Sequence, residues 1–338
     1  MKESLPHLAI TMGDPAGVGA EVVLKALQHE SVYEQCVPLV FGDVLYLQKV
    51  AKEMRLPLRV MPAAEGVPDT DVVCVVQSTR ADLSGVRFGE LSAEAGRAGG
   101  DSVVVAAQAV MSGEFSAVVT APLNKEAMAM GGYAYPGHTE LLADITRTEK
   151  YGMLLLSGNL RVIHVSTHVS LREAIERVKT ARILECIRLG ATACRSLGIA
   201  QPHIAVAGLN PHAGEHGLFG TEDAEEIAPA VSAALAEGIH AEGPLPPDTV
   251  FAKTANGDYD LVVAMYHDQG HIPVKLHGFD TGVNVTLGLP IIRVSVDHGT
   301  AFDIAGKGIA REQSMLEAIR VATLMVRAKQ QDFKEKQR

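Results

Sequence analysis

Short apolar runs alternate with segments of helical periodicity along most of the chain. Runs rich in β-branched residues predict buried strands, whereas apolar residues that recur at helical spacing predict helices. Strands that alternate with helices are typical of α/β proteins, in which helices cover both faces of parallel sheets. The strands are expected at Leu8–Met12, Val37–Phe41, Val72–Val76, Ala117–Thr120, Ile204–Ala207, Leu261–Met265 and Ile291–Val296, and the helices at Glu21–Leu27, Ala93–Met111, Thr180–Leu197, Glu222–Glu237 and Ser314–Ala328.

One pair of apolar runs departs from this alternation. Met153–Ser157 and Leu160–His164 are joined by the dipeptide Gly158-Asn159. Two strands separated by a Gly-containing dipeptide form a tight hairpin. The sequence therefore predicts an antiparallel pair here, at a lobe or subunit boundary.

Length and charge limit the possible functions. Cores divide above roughly 250 to 300 residues, so the 338 residues are expected to form two lobes. The formal net charge of -10 argues against nucleic acid as a partner, because phosphate contacts need clustered Lys and Arg. Neither a signal peptide nor a membrane span is recognisable, so we expect a soluble cytoplasmic protein. The four cysteines form no C-x-x-C pair and are expected to be core thiols.

Three histidines follow predicted strands in unusual sequence contexts. His168 lies in Ser-Thr-His-Val, His212 in Asn-Pro-His-Ala-Gly and His267 in Tyr-His-Asp-Gln-Gly. Their shared position at strand ends suggests one site. Neutral imidazoles that leave coordination positions open are typical of a catalytic metal centre. Without further motifs, scattered histidines are more often core or surface residues than ligands.

Several residues near these histidines suit an anion. Lys275 supplies a point charge and Arg293 a planar fork of donors, while Asn284 and Thr139 are neutral donors. Together these side chains suit a phosphate or a carboxylate. An acidic protein can hold such an anion only where its cations are gathered locally.

Two glycine-rich segments are candidates for a dinucleotide site, and a purely structural turn is the alternative for each. Gly13–Gly19 lies between a predicted strand and a helix, where backbone N–H groups favour an anion. With the His298–Gly308 segment it resembles motifs of the isocitrate and isopropylmalate dehydrogenases. The resemblance implies that the adenosine end of NAD meets His298, Gly299 and Thr300 and that the Asp303 carboxylate accepts from the ribose hydroxyls. A carboxylate there favours NAD over NADP, since it repels a 2′-phosphate.

Six motifs in order resemble the 4-hydroxythreonine-4-phosphate dehydrogenase family over nearly the whole chain. The resemblance implies a homodimer in which two subunits share one divalent metal ion. Three imidazole ligands favour zinc or cobalt, with magnesium and manganese left open. The motifs are Gly13–Gly17, Gly137–Glu140, Thr167-His168, Asn210–Glu215, Tyr266–Gly270 and Asp297–Ala301. The implied metal ligands are His168, His212 and His267, and the implied substrate ligands are His138, Thr139, Lys275, Asn284 and Arg293.

Two segments, Thr120–Met128 and Tyr133–Glu140, resemble the branch of this family that acts on 4-phospho-D-threonate and 4-phospho-D-erythronate. That branch implies NAD-dependent oxidation of the C3 hydroxyl, followed by decarboxylation to dihydroxyacetone phosphate. Asp248 and Lys275 are the candidates for proton transfer, although Asp248 is almost equally well explained as a helix cap. The alternative within the family is oxidation of 4-phosphohydroxy-L-threonine in vitamin B6 biosynthesis.

The family resemblance also implies the architecture. We expect a two-lobed α/β/α fold like that of isocitrate and isopropylmalate dehydrogenases, with the active site in the cleft. The first lobe is expected at residues 1–122 plus 298–338, with the cofactor loop, and the second at 123–297, with the metal and substrate residues and the dimer interface. A phosphate acyltransferase shares this architecture and is the alternative from another class. A metal-dependent hydrolase or a sugar-phosphate sensor would use the same metal and anion sites.

Overall fold

The structure is a computed structural model and describes residues 5–336. In this part of the chain no helix has the length and apolar composition that a membrane crossing requires. The strands are β1 His7–Thr11, β2 Val37–Gly42, β3 Arg59–Pro62, β4 Val72–Gln77, β5 Ala117–Thr120, β6 Gly152–Ser157, β7 Leu160–His164, β8 Ile204–Ala207, β9 Ala241–Leu245, β10 Leu261–Ala264, β11 Val283–Leu287 and β12 Arg293–Val296. The helices are α1 Gly19–Ala26, α2 Glu30–Tyr33, α3 Val44–Glu53, α4 Ala93–Met111, α5 Lys125–Met130, α6 His138–Ile145, α7 Leu171–Glu176, α8 Thr180–Ser196, α9 Ala228–Ala236, α10 Pro247–Asn256, α11 His267–Gly278 and α12 Gln313–Lys336.

The chain forms two compact units. The first comprises Met1–Tyr151 and Leu289–Arg327, and the second comprises Gly152–Gly288 and Ala328–Arg338. These boundaries differ from those expected at 122/123 and 297/298. The α/β fold class itself is confirmed, because helices and mainly parallel strands alternate in both units.

Packing explains why the boundaries lie elsewhere. Leu141 and Leu142 of α6 are buried in one cluster with Val103 and Ala106 of α4, so the segment after β5 belongs with the first unit. The start of β12 also belongs there, since β12 pairs in parallel with β5. Tertiary packing thus carries the first unit past residue 122, where the boundary was expected.

Within the first unit the strand order is β3-β4-β2-β1-β5-β12, and all neighbouring pairs are parallel. From β1 the chain passes to β2 on one side, and it later returns to β5 on the other. Such a change of direction opens a crevice at the carboxyl ends of the two strands, where α/β proteins bind ligands. The glycine-rich segment after β1 lies at this point.

Within the second unit the order is β11-β6-β7-β10-β8-β9. Strands β7, β10, β8 and β9 run parallel, whereas β6 is antiparallel to both β7 and β11. The predicted hairpin is therefore confirmed, with Ser157 opposite Leu160. Because β10 lies between β7 and β8, the loops that carry His168, His267 and His212 leave the sheet at the same edge.

The helix predicted at Glu222–Glu237 is divided. Its first part, Asp223–Ile227, is a π-helical turn, and α9 begins at Ala228. The buried Asp223 carboxylate accepts hydrogen bonds from the backbone N–H groups of Leu209, at 2.9 Å, and Asn210, at 3.2 Å. Asp223 thereby fixes the turn after β8, in which His212 lies.

Candidate active site

His168 and His267 come together at the carboxyl edge of the second unit's sheet. Their ring centroids lie 5.6 Å apart, and both rings line a cavity of about 500 Å³. Two imidazoles that share one tetrahedral zinc ion have centroids roughly 5 Å apart, given a Zn–N distance of about 2 Å. The spacing of this pair therefore fits two ligands of one ion.

Asp268 orients the His267 ring. Nδ1 of His267 lies 2.6 Å from Oδ1 of Asp268. A carboxylate in this position holds a proton on Nδ1 and leaves Nε2 as the nitrogen with an open lone pair. Neutral imidazole with a fixed tautomer is the form that binds metals.

Two further histidines, His271 and His164, lie next to His267. The ring of His271 stacks on His267 with centroids 3.6 Å apart, and its Nδ1 lies 3.2 Å from Nε2 of His164. Gly270 is required beside them, because a Cβ there would lie 2.3 Å from His164 Nε2. The sequence analysis assigned no role to His164 and left His271 open. The signal that was available is the spacing of four between His267 and His271, which puts both on one helix face.

Burial keeps both of these imidazoles neutral. Burial, and then the neighbouring His271, lowers the pKa of His164 to about 3. Burial, and then His267, lowers the pKa of His271 to about 4. The row of rings therefore adds no positive charge around His267 at neutral pH.

His212 lies apart from this pair. Its backbone is left-handed, with φ 52°, in a turn where Ala213 and Glu215 also have positive φ. Its Nδ1 lies 4.0 Å from Oδ2 of Asp248. Across residues 5–336 no three His, Cys, Asp or Glu side chains are grouped so that they could hold a metal ion. One chain thus brings together two of the three predicted ligands.

Asp248 does not cap a helix. The N-cap of α10 is Pro246, which makes no side-chain cap bond, and Asp248 lies in the first turn. Its carboxylate is exposed and directed towards His212 instead. The interpretation of Asp248 as an ordinary cap is therefore wrong, and a role beside His212 remains a prediction.

The first unit contains a buried cation next to a neutral imidazole. Arg293 is 2% exposed and donates to Thr120 Oγ1 from Nη2 at 2.8 Å and from Nε at 3.2 Å. Burial lowers its pKa to about 9, which the Glu140 carboxylate partly opposes. Burial and the charge of Arg293 hold the pKa of His138 well below its usual value. A buried guanidinium is costly unless an anion compensates it.

The other predicted substrate ligands divide between the units. Thr139 follows His138 in α6, in the first unit, and is half-buried. Lys275 and Asn284 belong to the second unit. Lys275 is exposed near the end of α11, with Nζ 6.0 Å from the centroid of the Phe279 ring. Among the described residues two buried atoms of the set have no hydrogen-bond partner, Nε2 of His138 and Oδ1 of Asn284.

The predicted cofactor residues border the N-terminus of α1. The backbone N–H of Val18 donates to the carbonyl of Thr300 at 3.0 Å. His298 has a buried Nε2 with no hydrogen-bond partner among the described residues. A Cβ added at Gly299 would meet nothing within 4 Å, so this backbone borders open space, and the Asp303 side chain is exposed. A helix N-terminus, an unsatisfied imidazole nitrogen and an exposed carboxylate together fit a dinucleotide.

Comparison with known proteins gives matches along nearly the whole chain. A family model described as pyridoxal phosphate biosynthetic protein PdxA matches residues 34–322. A D-threonate 4-phosphate dehydrogenase of Cupriavidus necator is 49% identical over 329 residues, which cover 95% of this chain and 97% of that protein. A 4-hydroxythreonine-4-phosphate dehydrogenase of Desulforapulum autotrophicum is 43% identical over 328 residues, which cover 96% of both.

A solved structure is similar over the same length. The crystal structure of a 4-hydroxythreonine-4-phosphate dehydrogenase from Klebsiella pneumoniae matches with a TM-score of 0.86 at 45% identity. The match covers 95% of this chain and 99% of that one. Both units of the chain therefore have counterparts in a protein of related sequence.

The buried His164 should make the fold sensitive to acid. Because its folded pKa of about 3 lies below the ordinary 6.5, the unfolded chain binds the proton more readily. The stability that the neutral ring contributes is therefore present above pH 6.5 and lost as the pH falls towards 3. His164→Gln should flatten the dependence of the unfolding free energy on pH between about 6 and 4, by up to about 1.4 kcal/mol per pH unit.

Urea unfolding of chelator-treated protein at several pH values measures this slope. His216→Gln, which removes an exposed histidine of the same unit, is the matched control. A slope in the His164 variant equal to that of the wild type would contradict the prediction.

Proposed function

Because the chain belongs to the PdxA family, as its motifs led us to expect, and the relatives described above are dehydrogenases, we propose that it oxidises the C3 hydroxyl of a four-carbon acid 4-phosphate with NAD. The substrate is 4-phospho-D-threonate or 4-phospho-D-erythronate. Oxidation at C3 gives a 3-keto acid. A carbonyl β to the carboxylate makes loss of carbon dioxide easy, and the product is dihydroxyacetone phosphate.

The observation that carries this proposal is the burial of Arg293 beside His138. A guanidinium that is 2% exposed, in a chain of net charge -10, is a positive charge held at a fixed place, and such a local charge suits an anion. Its fork of donors matches phosphate oxygens, and the Nε2 of His138 is available as a further contact. Thr139 follows His138 in α6, and Lys275 and Asn284 remain predicted substrate ligands.

A divalent metal ion is the second part of the proposal. His168 and His267 are two ligands, with His267 oriented by Asp268. We assign the third, His212, to the partner subunit, because within one chain it pairs with Asp248. An ion held by three imidazoles, zinc or cobalt, would act as a Lewis acid towards the hydroxyl and carbonyl oxygens of the substrate.

Asp248 and Lys275 are the proposed proton-transfer residues. The Asp248 carboxylate is exposed beside His212 and is therefore accessible to a substrate hydroxyl proton. Lys275 lies on α11, the helix that begins with His267. A carboxylate acceptor near the metal ligands suits the removal of the C3 hydroxyl proton as hydride leaves for NAD.

NAD is the proposed cofactor, held by His298, Gly299, Thr300 and Asp303. It supplies the hydride acceptor when bound. The Asp303 carboxylate accepts from the ribose hydroxyls and repels the extra phosphate of NADP. The N-terminus of α1 at the crevice beside β1 favours the pyrophosphate.

We propose a homodimer together with the assignment of His212 to the partner subunit. Ile272, Leu276 and Phe279, on α11 and just after it, are 55%, 84% and 72% exposed. Next to them a cavity of about 710 Å³ is lined by Leu160, Phe251 and Pro273, among others. Apolar side chains this exposed indicate a covered surface, and a second copy that brings His212 to the pair His168 and His267 would cover it.

Oxidation of 4-phosphohydroxy-L-threonine is the second candidate. It is favoured by the 43% identity with the relative from Desulforapulum autotrophicum, which is named for that activity. The two substrates differ at C2, where the hydroxythreonine carries an amine in place of a hydroxyl. A phosphate acyltransferase has no comparable support, since relatives with 43% to 49% identity are dehydrogenases.

Mixing subunits tests the assignment of the metal ligands. His212→Ala and His267→Ala proteins should each lose metal and activity, but co-expressed in equal amounts they should recover about a quarter of the wild-type rate. Half of the dimers are then heterodimers, and each contains one intact site. Metal content and NADH formation are the measurements.

The control mixture combines His168→Ala with His267→Ala. These two residues are assigned to one chain, so every site in the heterodimer lacks a ligand and no activity should return. Recovery in this mixture, with or without recovery in the first, would contradict the assignment of His212 to the partner.

Arg293→Met tests the phosphate site. Losing one charge-assisted contact should lower kcat/KM for the phosphorylated acid by about ten- to a hundredfold, or about 1.5 to 3 kcal/mol. The unphosphorylated acid should be turned over poorly by the wild type and hardly more slowly by the variant, because remote phosphate binding serves to orient the substrate. Steady-state rates with both acids give the ratio.

Thr120→Val is the matched control, since it removes the hydroxyl partner of Arg293 but keeps the guanidinium. It should reduce the preference for the phosphorylated acid much less than Arg293→Met does. An equal fall of kcat/KM with both acids in Arg293→Met would remove Arg293 from phosphate recognition.

A further inference from the structure

Segment 297–310, which contains the proposed cofactor residues, has no regular secondary structure. It follows β12 and precedes α12. Within it, short turns are closed by bonds from Ile304 N to Ala301 O at 3.0 Å and from Lys307 N to Ile304 O at 3.1 Å. A segment with so few bonds of its own depends on neighbouring elements for its shape.

The first half of the segment is fixed by close backbone approach. A Cβ added at Gly17 would lie 2.8 Å from Thr300 Cβ, and one at Gly89 would lie 2.8 Å from the carbonyl oxygen of Phe302. The bond from Val18 N to Thr300 O adds a polar link to the start of α1. Further along, Gly306 packs against the Phe88 ring, since a Cβ there would lie 2.4 Å from Phe88 Cδ2.

The end of the segment is held by two charged side chains of α1. Lys25 Nζ donates to the carbonyls of Gly308 at 2.9 Å and Ala310 at 2.8 Å. It also donates to Glu21 Oε1 at 2.7 Å, and the same oxygen accepts from Ala310 N at 2.8 Å. Three hydrogen bonds thus join one turn of α1 to the end of the segment, and a fourth joins Lys25 to Glu21 within the helix.

Glu21 is a buried carboxylate, and its burial makes it depend on Lys25. Its side chain is 0% exposed, while Lys25 remains partly exposed at 19%. In the described part of the chain, Oε2 of Glu21 has no hydrogen-bond partner. A buried carboxylate needs its cation in place. A carboxylate with a purely structural task in the first turn of a helix would be equally effective at the surface.

We propose that Glu21 and Lys25 are positioning residues for the cofactor loop: they hold the end of segment 297–310 against α1, so that His298, Thr300 and Asp303 are arranged before the dinucleotide binds. Preorganisation of this kind lowers the ordering cost of binding and so raises affinity. Neither residue is among the proposed substrate or metal ligands, so we expect the chemical step not to depend on the pair. The inference rests on the proposed function for the identity of the cofactor.

Two variants test whether Glu21 and Lys25, which we call the clamp, hold the end of the segment. Lys25→Met keeps the aliphatic stem but removes all three ammonium bonds, and it leaves Glu21 buried without its cation. The double variant Glu21→Gln with Lys25→Met avoids that buried charge and keeps an acceptor for Ala310 N, so it serves if the single variant does not fold. Lys52→Met, which removes an exposed lysine of α3, is the matched control.

Three measurements separate the possible outcomes. Hydrogen exchange of the ligand-free protein should be about tenfold faster at residues 308–310 in the clamp variants, and calorimetric titration should show NAD binding about tenfold more weakly. The rate constant kcat at saturating NAD should stay within about twofold of the wild type. In Lys52→Met, the exchange rate at residues 308–310 and the NAD affinity should also stay within about twofold of the wild type.

Unchanged exchange at residues 308–310 would overturn the clamp and leave the proposed function intact. Faster exchange with unchanged NAD affinity would overturn the link to the cofactor and, with it, the assignment of this segment to NAD. A fall in kcat at saturating NAD with unchanged affinity would also overturn the proposal. Residues that position the loop for binding should lower the NAD affinity and leave kcat unchanged.

Discussion

The parallel direction of the strands is the constraint on which the candidate site depends. In each unit the carboxyl ends of neighbouring strands meet at one edge, so residues far apart in sequence are gathered there. In the second unit, β10 lies between β7 and β8 and brings His267 next to His168. In the first unit, β12 lies parallel to β5, and Arg293 at the start of β12 donates to Thr120 at the end of β5.

The two sheet edges differ in the charge that the protein's own side chains place there. Near the proposed metal ligands, burial keeps His164 and His271 neutral, so the positive charge there would come from a bound ion. At the proposed phosphate site the guanidinium of Arg293 is buried, and the charge of the Glu140 carboxylate raises its pKa against the effect of burial.

Sequence patterns predicted the strands and the hairpin well, because β-branched runs and a Gly-Asn turn act locally. They also indicated that three histidines follow strands. They could not predict that His212 turns towards Asp248, since this depends on a left-handed turn held by Asp223 from the next helix. Thr120, His164 and the unit boundaries were missed for the same reason, because each is decided by packing between distant segments.

The central claim is oxidation of a four-carbon acid 4-phosphate at C3, and a substrate comparison tests it most directly. NADH formation at 340 nm would be followed with 4-phospho-D-threonate, 4-phospho-D-erythronate and 4-phosphohydroxy-L-threonine, each with NAD and a divalent metal. The account predicts a higher kcat/KM for threonate or erythronate phosphate, with dihydroxyacetone phosphate formed in equal amount to NADH. A clear preference for phosphohydroxythreonine would contradict the proposed substrate, and no NADH with any of the three would contradict the claim itself.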